Sequence, residues 1–452
     1  MIYPQMLLDL HGELIVDLFA GGGGASVGIE MGLGRPVDIA VNHDPAAIAM
    51  HEINHPQTFH EIADVFEVCP KKVTRGRPVG LLWASPDCTF YSKARGGKPM
   101  RDEGRRVRSL AWIVKRWAGQ VRPRVIMLEN VEEFIDWGPL IGPADALCPC
   151  PKRRGKTFRR WVRSLEDLGY QVEWRELRAC DYGAPTIRKR LFVIARCDGE
   201  PIVWPEPTHG PGARNPYRTA AECIDWSIPM LSIFASPEEA RAWGRSMRAA
   251  GHDIGTPRRP LAEATMRRIA RGVMRYVVEA DEPFIVDVTP GQNRRGFAVA
   301  FLAQNNGGFY NGAGRSLDEP MSTVLNTGSH QSLVYAFMQK YYGQGVGQTL
   351  NGPIHTIPTH DRFGLVTVTV DGQNYVITDI AMRMLQPREL YRAQGFPDSY
   401  IIDRGVDGKR LTKTEQVRMV GNSVSPQCSM ALARANVPEL IVRDEVLERI
   451  VA

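Results

Sequence analysis

Short apolar runs, each closed by a polar or glycine-rich turn, recur through the N-terminal half of the chain. Residues 14–19, 37–41, 79–84, 125–128 and 191–195 read as strands buried on both faces, the pattern of a mainly parallel sheet. A further short strand is expected to end near Asp64. Between them, apolar positions at helical spacing predict helices after residue 28, over 45–54 (with Pro45 at its first position), over 109–118 and over 161–168. Strand and helix alternate, which argues for an open α/β sheet.

Beyond Arg196 the texture changes. Residues 201–216 are rich in Pro and Gly and read as a linker, and 237–275 read as helical, with a basic amphipathic run over 261–276. From about Asp287 short strands predominate. Ala300-Phe301-Leu302 is echoed by Ala336-Phe337-Met338, and 367–378 form a hairpin about Asp371-Gly372. The α/β texture resumes near Ala381, with a helix over 386–395 and a last helix opened by Ser425 as N-cap. The expected organisation is a catalytic part over 1–200, a linker and helical segment over 201–285, a β-rich domain over 286–380 and completion of the catalytic part over 381–452.

Composition narrows the class. The 452 residues are 43% apolar and 23% charged, a globular balance, and the net charge is +6. Lys and Arg concentrate in 71–77, 93–108 and 152–163, a distribution that suits a polyphosphate partner. The eight cysteines show no disulfide or zinc spacing, and neither a membrane-spanning run nor a signal peptide is evident, so a cytoplasmic protein is expected.

The chemistry is organised by Cys88. The run 79–84 breaks at Pro86, placing Cys88 just past the carboxyl end of a central strand, where open α/β sheets put their reactive groups. The loop after it, 93–99, is basic and glycine-rich. Glu129 leaves the next strand beside Cys88, a position where burial raises a carboxyl pKa. Arg188 and Arg190 alternate along an extended segment and share a face. The turn 20–28 follows the first strand at once, presenting backbone N–H groups to a ligand. Asp17 before it disfavours a pyrophosphate, so a nucleoside without phosphates is expected. Asn42 and His43 end the second strand, within reach of a ribose.

In this order the motifs Asp17-Leu18-Phe19-Ala20-Gly21-x-Gly23-Gly24, Pro86-x-Cys88, Glu129-Asn130-Val131, Arg188-x-Arg190, Arg388-Glu389-x-x-Arg392-x-Gln394-Gly395 and Gly421-Asn422-Ser423-Val424-x-Pro426 resemble the cytosine-C5 DNA methyltransferase family. The resemblance implies a Rossmann-like class I methyltransferase domain with an inserted β-rich target-recognition domain. It implies S-adenosylmethionine held by Asp17, Phe19, Gly21, Gly23, Gly24, Asn42, His43, Asp64, Pro86, Asn422, Ser423 and Val424. It makes Cys88 the nucleophile, Glu129 the partner of the cytosine N3, and Arg190, with Arg188, the group facing its carbonyl. Double-stranded DNA is the implied partner, met by Ser92, Lys93, Arg95, Lys98, Thr327, His330, Thr359 and Arg362. A monomer, with a cognate restriction enzyme as partner, fits the same family, whose RNA-acting branch methylates tRNA instead. Four positions depart from the family pattern: Asp87 for a proline, Thr89 and Thr186 for glutamines, and Asn42 for an acid.

Overall fold

Strand β1 (Leu14–Leu18) lies in the interior of a seven-stranded sheet, every residue of it buried. The protein is described here by a computed structural model, which covers residues 12–91, 99–252, 254–287, 297–305, 312–326, 330–340, 367–370 and 373–442. Two compact units divide it. The first comprises Met1–Arg218, Ser322–Gly328 and Leu390–Ala452, and the second Thr219–Met321 and Ser329–Glu389.

In the first unit β1 is followed by α1 (Gly24–Leu33), β2 (Ile39–Asn42), α2 (Pro45–Asn54), β3 (Phe59–Ile62), the short α3 (Pro70–Val73), β4 (Val79–Ala84), α4 (Asp102–Arg108), α5 (Trp112–Val121) and β5 (Val125–Asn130). A two-stranded hairpin, β6 (Leu140–Ile141) and β7 (Cys148–Pro149), precedes α6 (Lys156–Glu166), β8 (Gln171–Arg178) and β9 (Lys189–Arg196). The sheet order is β3-β2-β1-β4-β5-β9-β8. Strands β1 to β5 are parallel, whereas β9 runs antiparallel to both β5 and β8. That reversal has a chemical result: the start of β9 lies against the end of β5, with Glu129 opposite Phe192 and Asn130 opposite Leu191.

Each face of the sheet is covered, as the unbroken apolar strands require. Trp117, Phe134 and Trp161 fill one side and are almost fully buried, each contributing about 2–3 kcal/mol by area. On the other side α1 packs against the last helix (Pro426–Asn436) and the segment leading into it, so closely that a Cβ on Gly24 would lie 1.9 Å from Ser423 Oγ and one on Gly28 2.0 Å from Ser429 Oγ. Only glycine admits that approach.

The second unit contains β10 (Leu231–Ser232), α7 (Pro237–Ala249), α8 (Glu263–Val273), β11 (Ile285–Asp287), β12 (Phe297–Gln304), β13 (Gln331–Lys340), β14 (Thr367–Val370) and β15 (Gln373–Met384). Its sheet is antiparallel, in the order β10-β15-β13-β12-β11 with β14 on β15. The echoed segments at 300 and 336 sit on the neighbouring strands β12 and β13, where Ala300 faces Tyr335 and Val299 faces Ala336. The helical stretch expected over 237–275 is two helices, because Gly251, Gly255, Pro257 and Pro260 interrupt it. Strand β15 continues to Met384 before α9 (Pro387–Gln394), and the unit boundary falls inside α9.

The chain ends in the first unit with α10 (Lys413–Asn422) and α11 (Pro426–Asn436). Ser425 occupies the N-cap position of α11, but its hydroxyl donates to the Gln394 carbonyl at 3.1 Å rather than capping the helix. The helix expected over 109–118 starts later, as α5 at Trp112, because residues 109–111 form a turn; α4 before it was not anticipated.

Candidate active site

Beyond Ala84 the chain leaves β4 in a short tied-down path. The Ser85 N–H donates to the Leu18 carbonyl at 3.2 Å, and Asn130 Nδ2 donates to the Pro86 carbonyl at 3.0 Å. The Cys88 carbonyl then accepts from the Tyr91 N–H at 2.9 Å, closing a turn around the thiol. Tyr91 donates its hydroxyl to the Arg108 carbonyl at 2.8 Å, while the Arg108 guanidinium sits 4.4 Å from the Tyr91 ring and donates to the Phe90 carbonyl at 2.8 Å. Both flanks of the basic loop are thereby joined. Ser92, Lys93, Arg95 and Lys98 lie outside the described residues, as do Thr327, Thr359 and Arg362. His330 is described: it is half-buried, and its carbonyl accepts from the Asn305 N–H at 2.6 Å.

Cys88, Glu129, Arg188 and Arg190 line a single cavity of about 420 Å3 at the carboxyl ends of the parallel strands. A larger one, about 1000 Å3, opens at the other end of β1 among Leu14, Asp38, Lys72 and Arg77, and contains none of this chemistry. In the smaller cavity Arg190 Nε lies 3.2 Å from Glu129 Oε1, yet that oxygen receives no hydrogen bond. Burial raises the Glu129 pKa, against the pull of Arg190 and then Arg188. A carboxyl group so placed is inclined to hold a proton, and hence to donate one.

Burial also pushes the Cys88 thiol upward, with Arg190 as the main opposing influence. The pull of Arg190 and Arg188 toward the thiolate is therefore outweighed by desolvation. Asp87 adds the weakest push; its side chain is exposed and accepts the Thr89 N–H at 2.6 Å. Arg188 is buried and donates to the carbonyls of Val324 (3.3 Å) and Gly421 (3.1 Å). Burial and the neighbouring Arg190 bring its pKa down to about 9. Thr186, beside it, is buried and donates to the Ser322 carbonyl at 3.3 Å.

The other end of the cavity is made by the glycine turn. Phe19 takes a left-handed backbone conformation (φ 64°), and Gly23 caps α1 at φ 87°. Asp17, Phe19, Gly21, Gly24, Asn42, His43, Asp64, Pro86, Asn422, Ser423 and Val424 all line the cavity; Gly23 does not, being turned toward Tyr400 and His55 instead. Asn42 Oδ1 accepts the Asp44 N–H at 2.9 Å, and Asp44 caps α2 through the Ala46 N–H.

Several groups in this site carry no sequence motif. Arg106 of α4 pairs with Asp64 and lies 5.3 Å from the Phe66 ring, and Arg418 pairs with Asp44 at 2.6 Å; both arginines line the cavity. Beneath the turn, Asp17 is fully buried and accepts from Ser26 Oγ at 2.8 Å. Ser26 is 2.9 Å from His51 Nε2, and His51 Nδ1 is 2.8 Å from His60 Nε2. With one hydroxyl proton committed to Asp17, His51 must donate to Ser26 and accept from His60. Burial raises the Asp17 pKa to about 7, lowers that of His51, and brings His60 down to about 4.

Five parallel strands ended by an antiparallel pair, with a glycine turn after β1, define a Rossmann-like α/β methyltransferase domain. Known proteins agree. Residues 14–221 and 313–437 match the family model for C-5 cytosine-specific DNA methylase. The chain is 27% identical over 248 residues to the Type II methyltransferase M.AquIA of Picosynechococcus, covering 50% of this chain and 92% of that protein. It is 26% identical over 205 residues to the Type II methyltransferase M.AgeI of Thalassovita gelatinovora, covering 44% of this chain and 43% of that one. The crystal structure of the S. pombe Dnmt2 methyltransferase shares the fold, with a TM-score of 0.50 at 14% identity over 97% of this chain and 99% of that one. The chain belongs to the C-5 cytosine-specific DNA methylase family and is, by that membership, a DNA cytosine-C5 methyltransferase. Among the described residues no helix is long and apolar enough to cross a membrane.

Proposed function

We propose that the chain methylates C5 of a cytosine flipped out of duplex DNA, with S-adenosylmethionine as donor and Cys88 as nucleophile. The observation that carries this reading is the convergence of Cys88, Glu129 and Arg190 on the cavity that also holds the glycine turn. The donor fits the other end: Asp17 Oδ1 is buried at the cavity wall with no hydrogen-bond partner, an acceptor suited to a cationic ligand. Phe19, Asn42, Asp64 and Asn422 to Val424 would surround it. When bound, this donor supplies an electrophilic methyl group.

The protein's own groups do the rest. C5 of cytosine becomes nucleophilic only once a sulfur adds to C6, so the Cys88 proton must leave as the base docks. Glu129 in its protonated form donates to N3 and stabilises the electron density that addition pushes into the ring, while Arg190 faces the carbonyl edge. After C5 is methylated, water takes the C5 proton, the C–H electrons restore the C5–C6 double bond, and Cys88 is expelled as the thiolate. Arg188 holds the walls: its two carbonyl contacts fix Val324 and Gly421. A duplex hides its bases, so extrusion at a cost of a few kcal/mol precedes chemistry.

The β-rich second unit serves as target-recognition domain in this reading, and the enzyme acts as a cytoplasmic monomer whose restriction partner, if one exists, cuts the same site. Labelled S-adenosylmethionine offered with duplex DNA or with tRNA tests it. Methyl incorporation into duplex, lost in Cys88→Ser while duplex binding persists, is the expected result. Incorporation into tRNA alone, or undiminished methylation by the serine variant, overturns it.

A further inference from the structure

Residues 237–278 hold nine arginines, no lysine and four carboxylates, so this one stretch supplies +5 against a net charge of +6 for the whole chain. The catalytic chemistry uses none of it. Most of these residues lie on α7, on α8 and on the π-helical turn Met274–Val278 that prolongs α8.

The inner side of α8 and its prolongation is fixed. Ile269, Val273 and Val277 are buried in the core of the second unit. Gly272 lets the helix press on Phe301, whose ring an added Cβ would meet at 2.1 Å, and the Tyr276 ring stacks on Phe301 at 5.7 Å. The outer side is different. Arg267, Arg271 and Arg275 are exposed, four residues apart, with the small exposed Ala264 and Ala270 beside them. Residues at that spacing share one helix face, about 6 Å apart along the axis. Two phosphate intervals of one DNA strand span about 7 Å along the duplex.

We propose that this arginine row is a sequence-independent docking surface for the phosphate backbone of duplex DNA. The proposal rests on the reading of duplex DNA as substrate. Arginine is the suitable cation here, since its planar fork binds phosphate through two parallel N–H donors. The row is rigidly backed by its buried face, so it presents its charges without ordering a loop. Arg267 pairs with Glu263, but both side chains are well exposed (66% and 78%), and an exposed pair of this kind is worth under about 1 kcal/mol and exchanges readily for phosphate. The alanines leave room for a broad polyanion to approach the helix.

The test compares the wild-type protein with Arg267→Gln/Arg271→Gln/Arg275→Gln and with the corresponding triple lysine variant, in fluorescence-anisotropy titrations of a labelled duplex over a range of NaCl concentrations. Each phosphate contact contributes about 0.9 to the slope of log affinity against log salt, so the glutamine variant is expected to lose about 2–3 from that slope and at least about tenfold in affinity at low salt. The lysine variant should keep the slope. Single-turnover methylation at saturating duplex should be unchanged in all three, since none of the three arginines lines the cavity that holds Cys88. A glutamine variant with the wild-type slope, on an enzyme that methylates duplex, removes this surface alone. A wild-type enzyme that methylates no duplex removes the substrate reading itself, and the surface with it.

Discussion

Asp17→Asn isolates the energetic cost of the buried carboxyl under the glycine turn. Burial raises the Asp17 pKa from 3.8 to about 7, with only the Ser26 hydroxyl acting the other way. Below pH 3.8 the group is protonated in both the folded and the unfolded chain and has no effect. As the pH rises, the unfolded chain gives up this proton first, so stability declines until the folded group ionises near pH 7 and is level thereafter. The full interval corresponds to about 4 kcal/mol, of which about 3 kcal/mol falls between pH 5 and pH 8. Asparagine keeps an acceptor for Ser26 and does not titrate. Urea unfolding of both proteins at pH 5, 6, 7 and 8, read from near-ultraviolet signals, should therefore show the variant gaining about 3 kcal/mol on the wild type across that range. A difference that stays constant with pH would refute the assignment of this carboxyl as a buried group neutral below neutrality.

Glu129→Gln retains a donor for N3 but no transferable proton, so the methylation rate should fall about 10²–10⁴-fold while duplex affinity is maintained, which single-turnover and binding measurements separate. Arg188→Ala leaves the Val324 and Gly421 carbonyls without their buried donor, and a loss of about 3 kcal/mol or more in urea unfolding is expected. Because burial holds the Cys88 proton, the wild-type rate at saturating substrates should climb as pH rises above neutrality; a flat profile would contradict that placement of the thiol.

Local patterns carried much of this architecture into the sequence. The run ending at Pro86 announces both β4 and the turn that carries Cys88, because buried parallel strands need continuous apolar residues and proline stops them. The site's pairings were less legible. Glu129 meets Arg190 only because β9 runs opposite to β5, and nothing in either segment encodes that direction. Arg188 and Arg190 look alike in sequence, yet one holds carbonyls while the other faces the carboxyl. Gly24 and Gly28 read as part of a ligand turn; Gly24 does line the cavity, but Gly24 is also needed for the approach of Ser423 and Val424 and Gly28 for that of α11, about four hundred residues away along the chain. The line from His60 through His51 and Ser26 to Asp17 joins four separate elements and has no spacing of its own. Helix periodicity over 237–275 concealed the glycine and proline break between α7 and α8.

Everything in the mechanism depends on a bond between Cys88 Sγ and a cytosine ring carbon. Replacing the target cytosine by 5-fluorocytosine leaves no proton to lose from C5, so a duplex carrying it, incubated with S-adenosylmethionine, should become covalently attached to the enzyme. Peptide mapping of the denaturation-resistant adduct should place the attachment at Cys88, and Cys88→Ser should form none. An enzyme that methylates ordinary duplex yet gives no adduct, or one attached through another residue, would contradict the account.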